Sequence, residues 1–171
     1  FEHSYEEFAQ AVFMLIGKLC DPNRDMWART TLYVTDGLWG ENTVADLVVT
    51  AYHQDKVVPE SINLGVSTWR RSNDDSLPAR IKTSTNYQVG RLARIEGRAR
   101  GCQDMILLNQ WGHVAEATGS CVLMVRDGVI YTPPATEGAL ESITLDIVEE
   151  LACSMKVDFV RRPIDRTELL V

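Results

Sequence analysis

The sequence is short of long apolar runs. None of its 171 residues lies in a stretch approaching the roughly 20 apolar positions that a membrane-spanning helix needs, so no membrane role is expected. No secretory leader is read at the start, because Phe1-Glu2-His3-Ser4 is neither basic nor followed by an unbroken apolar segment. Positive charge is also scarce: 17 Lys and Arg stand against 24 Asp and Glu, giving a net charge of −7 and a pI near 5.0. That balance argues against nucleic acid as a partner, since phosphate binding wants a basic face. The basic cluster Arg91, Arg94, Arg98 and Arg100 is the local exception. At helical spacing and interleaved with Glu96, it reads as a solvated helix face. Histidine and cysteine are few. Cys20, Cys102, Cys121 and Cys153 form no CxxC pair, and no histidine sits at ligand spacing to them, so no metal site is expected. Unpaired cysteines fit a reducing compartment, the cytoplasm. Of His3, His53 and His113, only His113 comes close to a motif, three positions before Glu116, and it reads as a surface turn residue.

What is present is 45% apolar residues, enough for one substantial core or two small ones. Phe8, Val12, Leu15, Ile16 and Leu19 recur at helical spacing behind a Ser4 cap, predicting a helix from Ser4 to about Cys20 that Asp21-Pro22-Asn23 ends. Strands are predicted over 29–34, 44–52 and 62–69, together a first lobe of antiparallel strands. The polar, proline-stopped segment 72–79 reads as a linker, dividing a first lobe, 1–71, from a second, 80–171. In the second, a helix is expected from Thr85 to about Arg100 with Val89, Leu92, Ile95 and Ala99 on its apolar face, closed by Gly101. Strands at 105–108 and 114–117 follow, then a hairpin around Arg126-Asp127-Gly128, a helix over 142–155 and a strand at 157–160.

Three stretches carry candidate chemistry. They are Ile81-Lys82-Thr83-Ser84-Thr85-Asn86-Tyr87, Gly112-His113-Val114-Ala115-Glu116 and Ser142-Ile143-Thr144. Taken singly, each has an ordinary reading. A lone lysine is usually a solvated charge, Tyr87 could simply pack, and Ser142-Ile143-Thr144 before Ile147, Val148 and Leu151 is also a plain helix start. Jointly, their residue types can fill the roles an aldehyde cofactor needs, although order and spacing alone do not assign them. Such a cofactor needs an amine to attach to, a carboxylate against a ring nitrogen, a hydroxyl near the ring oxygen, and backbone N–H groups at a helix N-terminus for a phosphate.

With the flanking Thr132-Pro133-Pro134, the set resembles the fold-type IV pyridoxal-phosphate enzymes, specifically the branched-chain aminotransferase family, over roughly Trp27 to Val171. The resemblance implies an α+β, two-lobed fold: a small α/β lobe and a larger lobe with an antiparallel, barrel-like sheet and flanking helices. It implies pyridoxal 5′-phosphate as cofactor, Lys82 as its attachment point and catalytic base, and Tyr87, Glu116, Ile143 and Thr144 as further binding residues. It also implies amino acid and 2-keto acid substrates and a homodimer. Trp27-Ala28-Arg29-Thr30-Thr31-Leu32 resembles the family's Tyr-Ile-Arg-Pro-Leu segment, which makes Trp27 and Arg29 candidate substrate contacts. Ser67-Thr68-Trp69-Arg70-Arg71 resembles the Ser-Ser-Trp-Arg-Arg stretch of the branched-chain type.

The departures fall around the motif residues. Ser142 stands where the family has glycine, Leu145 where it has arginine, and Ser120-Cys121 where it has Glu-Asn. The family also implies a phosphate-binding arginine before Phe1 and a Gly-Thr turn after Val171, so the chain reads as truncated at both ends. The expected function is transamination between an amino acid and a 2-keto acid. The alternatives are a pyridoxal-phosphate lyase of the aminodeoxychorismate type, or a non-catalytic homologue of the fold.

Overall fold

A computed structural model describes residues 3–38 and 40–170. The chain divides into two compact units, with the division between Pro59 and Glu60. It falls before the polar segment 72–79, because the strand at 64–70 pairs within the second unit.

In the first unit, α1 (Tyr5–Leu19) is followed by β1 (Met26–Leu38) and β2 (Glu41–His53). Ser4 and Glu7 form the reciprocal cap that the sequence predicts, with Ser4 Oγ accepting from the Glu7 N–H and Glu7 Oε2 from the Ser4 N–H. The strands pair antiparallel, Met26 opposite His53 and Leu32 opposite Leu47, with irregular register near the turn. Helix α1 lies against β2. No described side chain of this unit is buried.

The second unit holds β3 (Leu64–Arg70), α2 (Tyr87–Ala99), β4 (Asp104–Leu108), β5 (Val114–Ala117), β6 (Met124–Arg126), β7 (Val129–Thr132), α3 (Ile143–Ser154) and β8 (Phe159–Arg161). Two three-stranded sheets result, ordered β3-β4-β5 and β6-β7-β8. Each combines one parallel pair, β3 with β4 or β7 with β8, and one antiparallel pair. A parallel pair needs a crossover, which α2 and α3 supply. This takes the third predicted strand out of the first lobe's antiparallel set.

Strand β4 is buried on both faces. Ile106 and Leu108 meet Val114 and Ile164 in one cluster, while Met105 and Leu107 meet Ala93 of α2 in the other. Its unbroken apolar run reflects that two-sided burial. The inward face of α2 differs from expectation. Gly90, Ala93 and Gly97 are buried, while Leu92 and Ile95 are exposed. Close approach decides this: a Cβ on Gly90 would lie 2.5 Å from the Thr118 carbonyl oxygen, and one on Gly97 would lie 2.7 Å from Met105 Cγ. The expected basic face is likewise tied into the fold. Glu96 accepts from Ser67 Oγ at 2.6 Å and pairs with Arg100, and Arg94 donates to Thr118 Oγ1 at 2.7 Å. Among the described residues, no helix is long and apolar enough to cross a membrane.

Candidate active site

Five residues singled out in the sequence line one cavity of about 490 Å³ in the second unit: Lys82, Tyr87, Glu116, Ile143 and Thr144. Different elements bring them there. Lys82 lies in the loop that enters α2 through a short 3₁₀ turn, Ser84–Asn86, and Tyr87 opens α2. The lysine Nζ donates to Tyr87 Oη at 3.2 Å, so the amine and the phenol are already in hydrogen-bond reach. Asn86 holds the loop in shape, its amide donating to the carbonyls of Pro78 and Ile81 at 2.9 and 2.8 Å.

Glu116 comes from β5, opposite Leu107 of the buried strand β4. Its side chain is largely buried and both oxygens are held, Oε1 by Arg71 Nη2 at 3.1 Å and Oε2 by the Leu140 N–H at 2.9 Å. Burial pushes its carboxyl above the usual carboxylate range. Arg71, the Leu140 N–H and Lys82 oppose that shift, in decreasing order. A carboxylate has about four lone-pair directions, so two donors leave acceptor capacity toward the cavity.

The third wall is the start of α3. Ser142 caps it, Oγ accepting from the Leu145 N–H at 3.4 Å. Ile143 and Thr144 belong to the first turn, where no preceding intrahelical carbonyl takes their N–H groups. With the helix dipole, this end favours an anion. Gly119, Ser120, Cys121, Leu140 and Glu141 complete the lining. An anion-binding helix end, an amine and an inward carboxylate are the set that a phosphorylated pyridine aldehyde requires, and these residues fit it.

Arg71 is the residue that motif reading passed over. With the Leu140 N–H, it holds the Glu116 carboxylate. No local signal marked it: Arg70 and Arg71 stand side by side at the end of β3, and only the structure shows that the second is buried. His113 does not line the cavity and bonds Glu137 Oε2 through Nδ1 at 2.8 Å. Trp27 and Arg29 stand on β1 in the first unit, two positions apart and therefore on one face of the strand, and both are exposed.

The amino-transferase class IV family profile matches residues 1–171. The chain belongs to the class IV aminotransferases. Among relatives, it is 38% identical over 117 residues to a probable branched-chain-amino-acid aminotransferase of Synechocystis sp., covering 68% of this chain and 38% of that protein. It is 30% identical over 152 residues to the branched-chain-amino-acid aminotransferase of Escherichia coli K12, covering 84% of this chain and 49% of that one. Its fold matches the branched-chain aminotransferase of Thermoproteus uzoniensis, solved with norvaline, with a TM-score of 0.90 and 29% identity over 98% of this chain and 58% of that one. It also matches the PLP form of the Thermobaculum terrenum enzyme, with a TM-score of 0.87 and 33% identity over 98% and 56%. As a class IV aminotransferase, the chain therefore spans half or less of these two relatives and somewhat more than half of these two structures.

Proposed function

We propose that this chain carries the cofactor-binding part of a pyridoxal 5′-phosphate-dependent transaminase that moves an amino group between an amino acid and a 2-keto acid, of the branched-chain type. The observation that supports it most is the convergence of Lys82, Tyr87, Glu116, Ile143 and Thr144 on one cavity. When bound, pyridoxal phosphate supplies the electron sink that makes a substrate α-proton labile.

The chain's residues do the rest. The first turn of α3, through the Ile143 and Thr144 N–H groups and the Thr144 hydroxyl, binds the phosphate and fixes the ring's position. Glu116 would accept a hydrogen bond from the protonated ring nitrogen and keep that proton in place. Tyr87 holds the Lys82 amine in orientation. Lys82 would attach the cofactor through Nζ and, once freed, would take the substrate α-proton as general base and return a proton as general acid. Trp27 and Arg29 are assigned to the substrate, Arg29 to a carboxylate and Trp27 to the width of the side-chain pocket. We assign the protein to the cytoplasm as a homodimer; its four free cysteines support the reducing compartment.

The test is isotopic. The whole protein that carries this chain is incubated with pyridoxal phosphate, ¹⁵N-labelled leucine and 2-ketoglutarate, and ¹⁵N in glutamate is read by mass spectrometry. Transfer is expected, and Lys82→Ala should lower it by about two to four orders of magnitude or more. Keto acid release with no ¹⁵N-glutamate, or transfer that survives Lys82→Ala, overturns the proposal.

A further inference from the structure

We infer that Arg71 is a positioning residue. It holds Glu116 ionised and ties that carboxylate to the two chain segments that carry Tyr87 and Thr144. The inference rests on the role proposed above for Glu116.

One guanidinium reaches three parts of the chain. Arg71 leaves the end of β3 and is only 7% exposed. Its Nε donates to the Gly138 carbonyl at 3.0 Å, its Nη1 to the Asn86 carbonyl at 3.0 Å, and its Nη2 lies 3.1 Å from Glu116 Oε1. Asn86 directly precedes Tyr87, and its side chain closes the loop that carries Lys82. Gly138, turned by a φ of +88°, opens the segment that brings Leu140 to Glu116 and then enters α3. A planar fork with five donors on three nitrogens holds acceptors on three segments in fixed directions, whereas a lysine would have to gather all three around one nitrogen. Neighbouring Arg70 shows the contrast: it is exposed, and its one hydrogen bond, to the Asn109 carbonyl, is long at 3.5 Å.

The direction of approach separates this from a plain structural ion pair. Glu116 lines the cavity and Arg71 does not. The cation therefore grips the carboxylate from behind and leaves its open side to the cavity. Burial works against the charge that a ring nitrogen needs opposite it, and Arg71 is the strongest opposing influence on Glu116. The other titratable groups that line the cavity with Glu116 are Lys82 from the loop before α2, Tyr87 from α2, Cys121 from the loop after β5 and Glu141 from the loop before α3. Only Lys82 among these adds positive charge, and it is exposed and committed to Tyr87.

The test reads Glu116 itself, without cofactor. The side-chain carboxyl is followed against pH by ¹³C NMR in glutamate-labelled protein and assigned by its loss in Glu116→Gln. Circular dichroism checks that each variant is folded. Arg71→Met should raise the Glu116 midpoint by about 1–3 pH units, and Arg71→Lys should fall between that variant and wild type. An unchanged midpoint in folded Arg71→Met overturns the inference. Should that variant fail to fold, wild type decides. The ¹⁵N signals of the Arg71 side chain should then shift with the same midpoint as the Glu116 carboxyl, and that shift should vanish in Glu116→Gln; signals that ignore Glu116 overturn the inference. Because no cofactor is used, these results separate from the ¹⁵N-transfer experiment. Coupling of Arg71 to Glu116 without any amino transfer would defeat the functional proposal and leave the hold on Glu116 standing.

Discussion

The two units of this chain use similar residues to different ends. Leu47-Val48-Val49 in β2 and Met105-Ile106-Leu107-Leu108 in β4 are equally apolar runs, yet Val48 is 43% exposed and Leu107 is fully buried. Composition does not separate them; layering does. Strand β4 has a neighbour on each edge, a helix on one face and a second apolar cluster on the other. Among the described residues, the β1–β2 pair has a single helix against β2 and no third strand. A two-stranded ribbon buries too little surface to be rigid alone, and a site needs walls that do not move. The cavity is accordingly lined from the unit that has a core.

The sharpest way to break this comparison is to truncate matching leucines. Leu107→Ala in β4 should cost about 2–5 kcal/mol, through lost burial and the space left behind. Leu32→Ala in β1, where the side chain is 61% exposed, should change stability by no more than about 0.5 kcal/mol. Urea denaturation of both variants checks this, and equal losses would dissolve the distinction between the units.

Glycine gives a smaller effect with opposite signs. Gly90→Ala in α2 puts a methyl group 2.5 Å from a backbone oxygen and should cost about 1–3 kcal/mol. Gly17→Ala in α1 meets nothing within 4 Å and removes a poor helix former, so it should stabilise by about 0.5–1 kcal/mol. Thermal midpoints moving in opposite directions are the expected result. Because Gly90 packs on Thr118, next to the cavity residues Gly119 and Ser120, the first change should also weaken pyridoxal phosphate binding.

The smallest predicted effect is one of pH. Glu168 accepts two hydrogen bonds from Arg162, at 2.9 and 2.6 Å, and one from the Asp165 N–H at 2.9 Å. Arg162, then that N–H, hold its carboxyl at about 2. A carboxyl depressed in the fold stabilises fully above its ordinary value of 4.5, and the contribution is lost as pH falls through about 2. Glu168→Gln should therefore melt below wild type near pH 6, and the gap should close toward pH 2. Partial exposure keeps it small. A gap independent of pH would assign the loss to packing.

Local signals were legible where they are chemical. The Ser4–Glu7 cap and the Asp21-Pro22 stop each state their role in a few residues, and the Lys82, Glu116 and Ser142 stretches were legible only as a set, which meets in one cavity. Partnering was not legible. Strand 64–70 reads the same whether it joins an antiparallel lobe or pairs parallel with β4, because its side chains alternate identically in both. In α2 the large residues drew the expected apolar face, while the fold packs the glycines inward; a small residue marks close approach only once its neighbour is known. Arg71 was invisible for the same reason: nothing local distinguishes it from Arg70, and its three acceptors lie 15 or more positions away.

The central claim is that the cavity beside Lys82 receives the cofactor aldehyde, and reductive trapping tests it most directly. The chain is mixed with an equimolar amount of pyridoxal 5′-phosphate, treated with borohydride, digested and mapped by mass spectrometry. Lys18, Lys56, Lys82 and Lys156 are all exposed, so accessibility alone would label them alike. The account predicts a phosphopyridoxyl adduct concentrated on Lys82 and displaced by excess inorganic phosphate competing at the α3 N-terminus. Labelling spread evenly over the four lysines, or absent from Lys82, would contradict it.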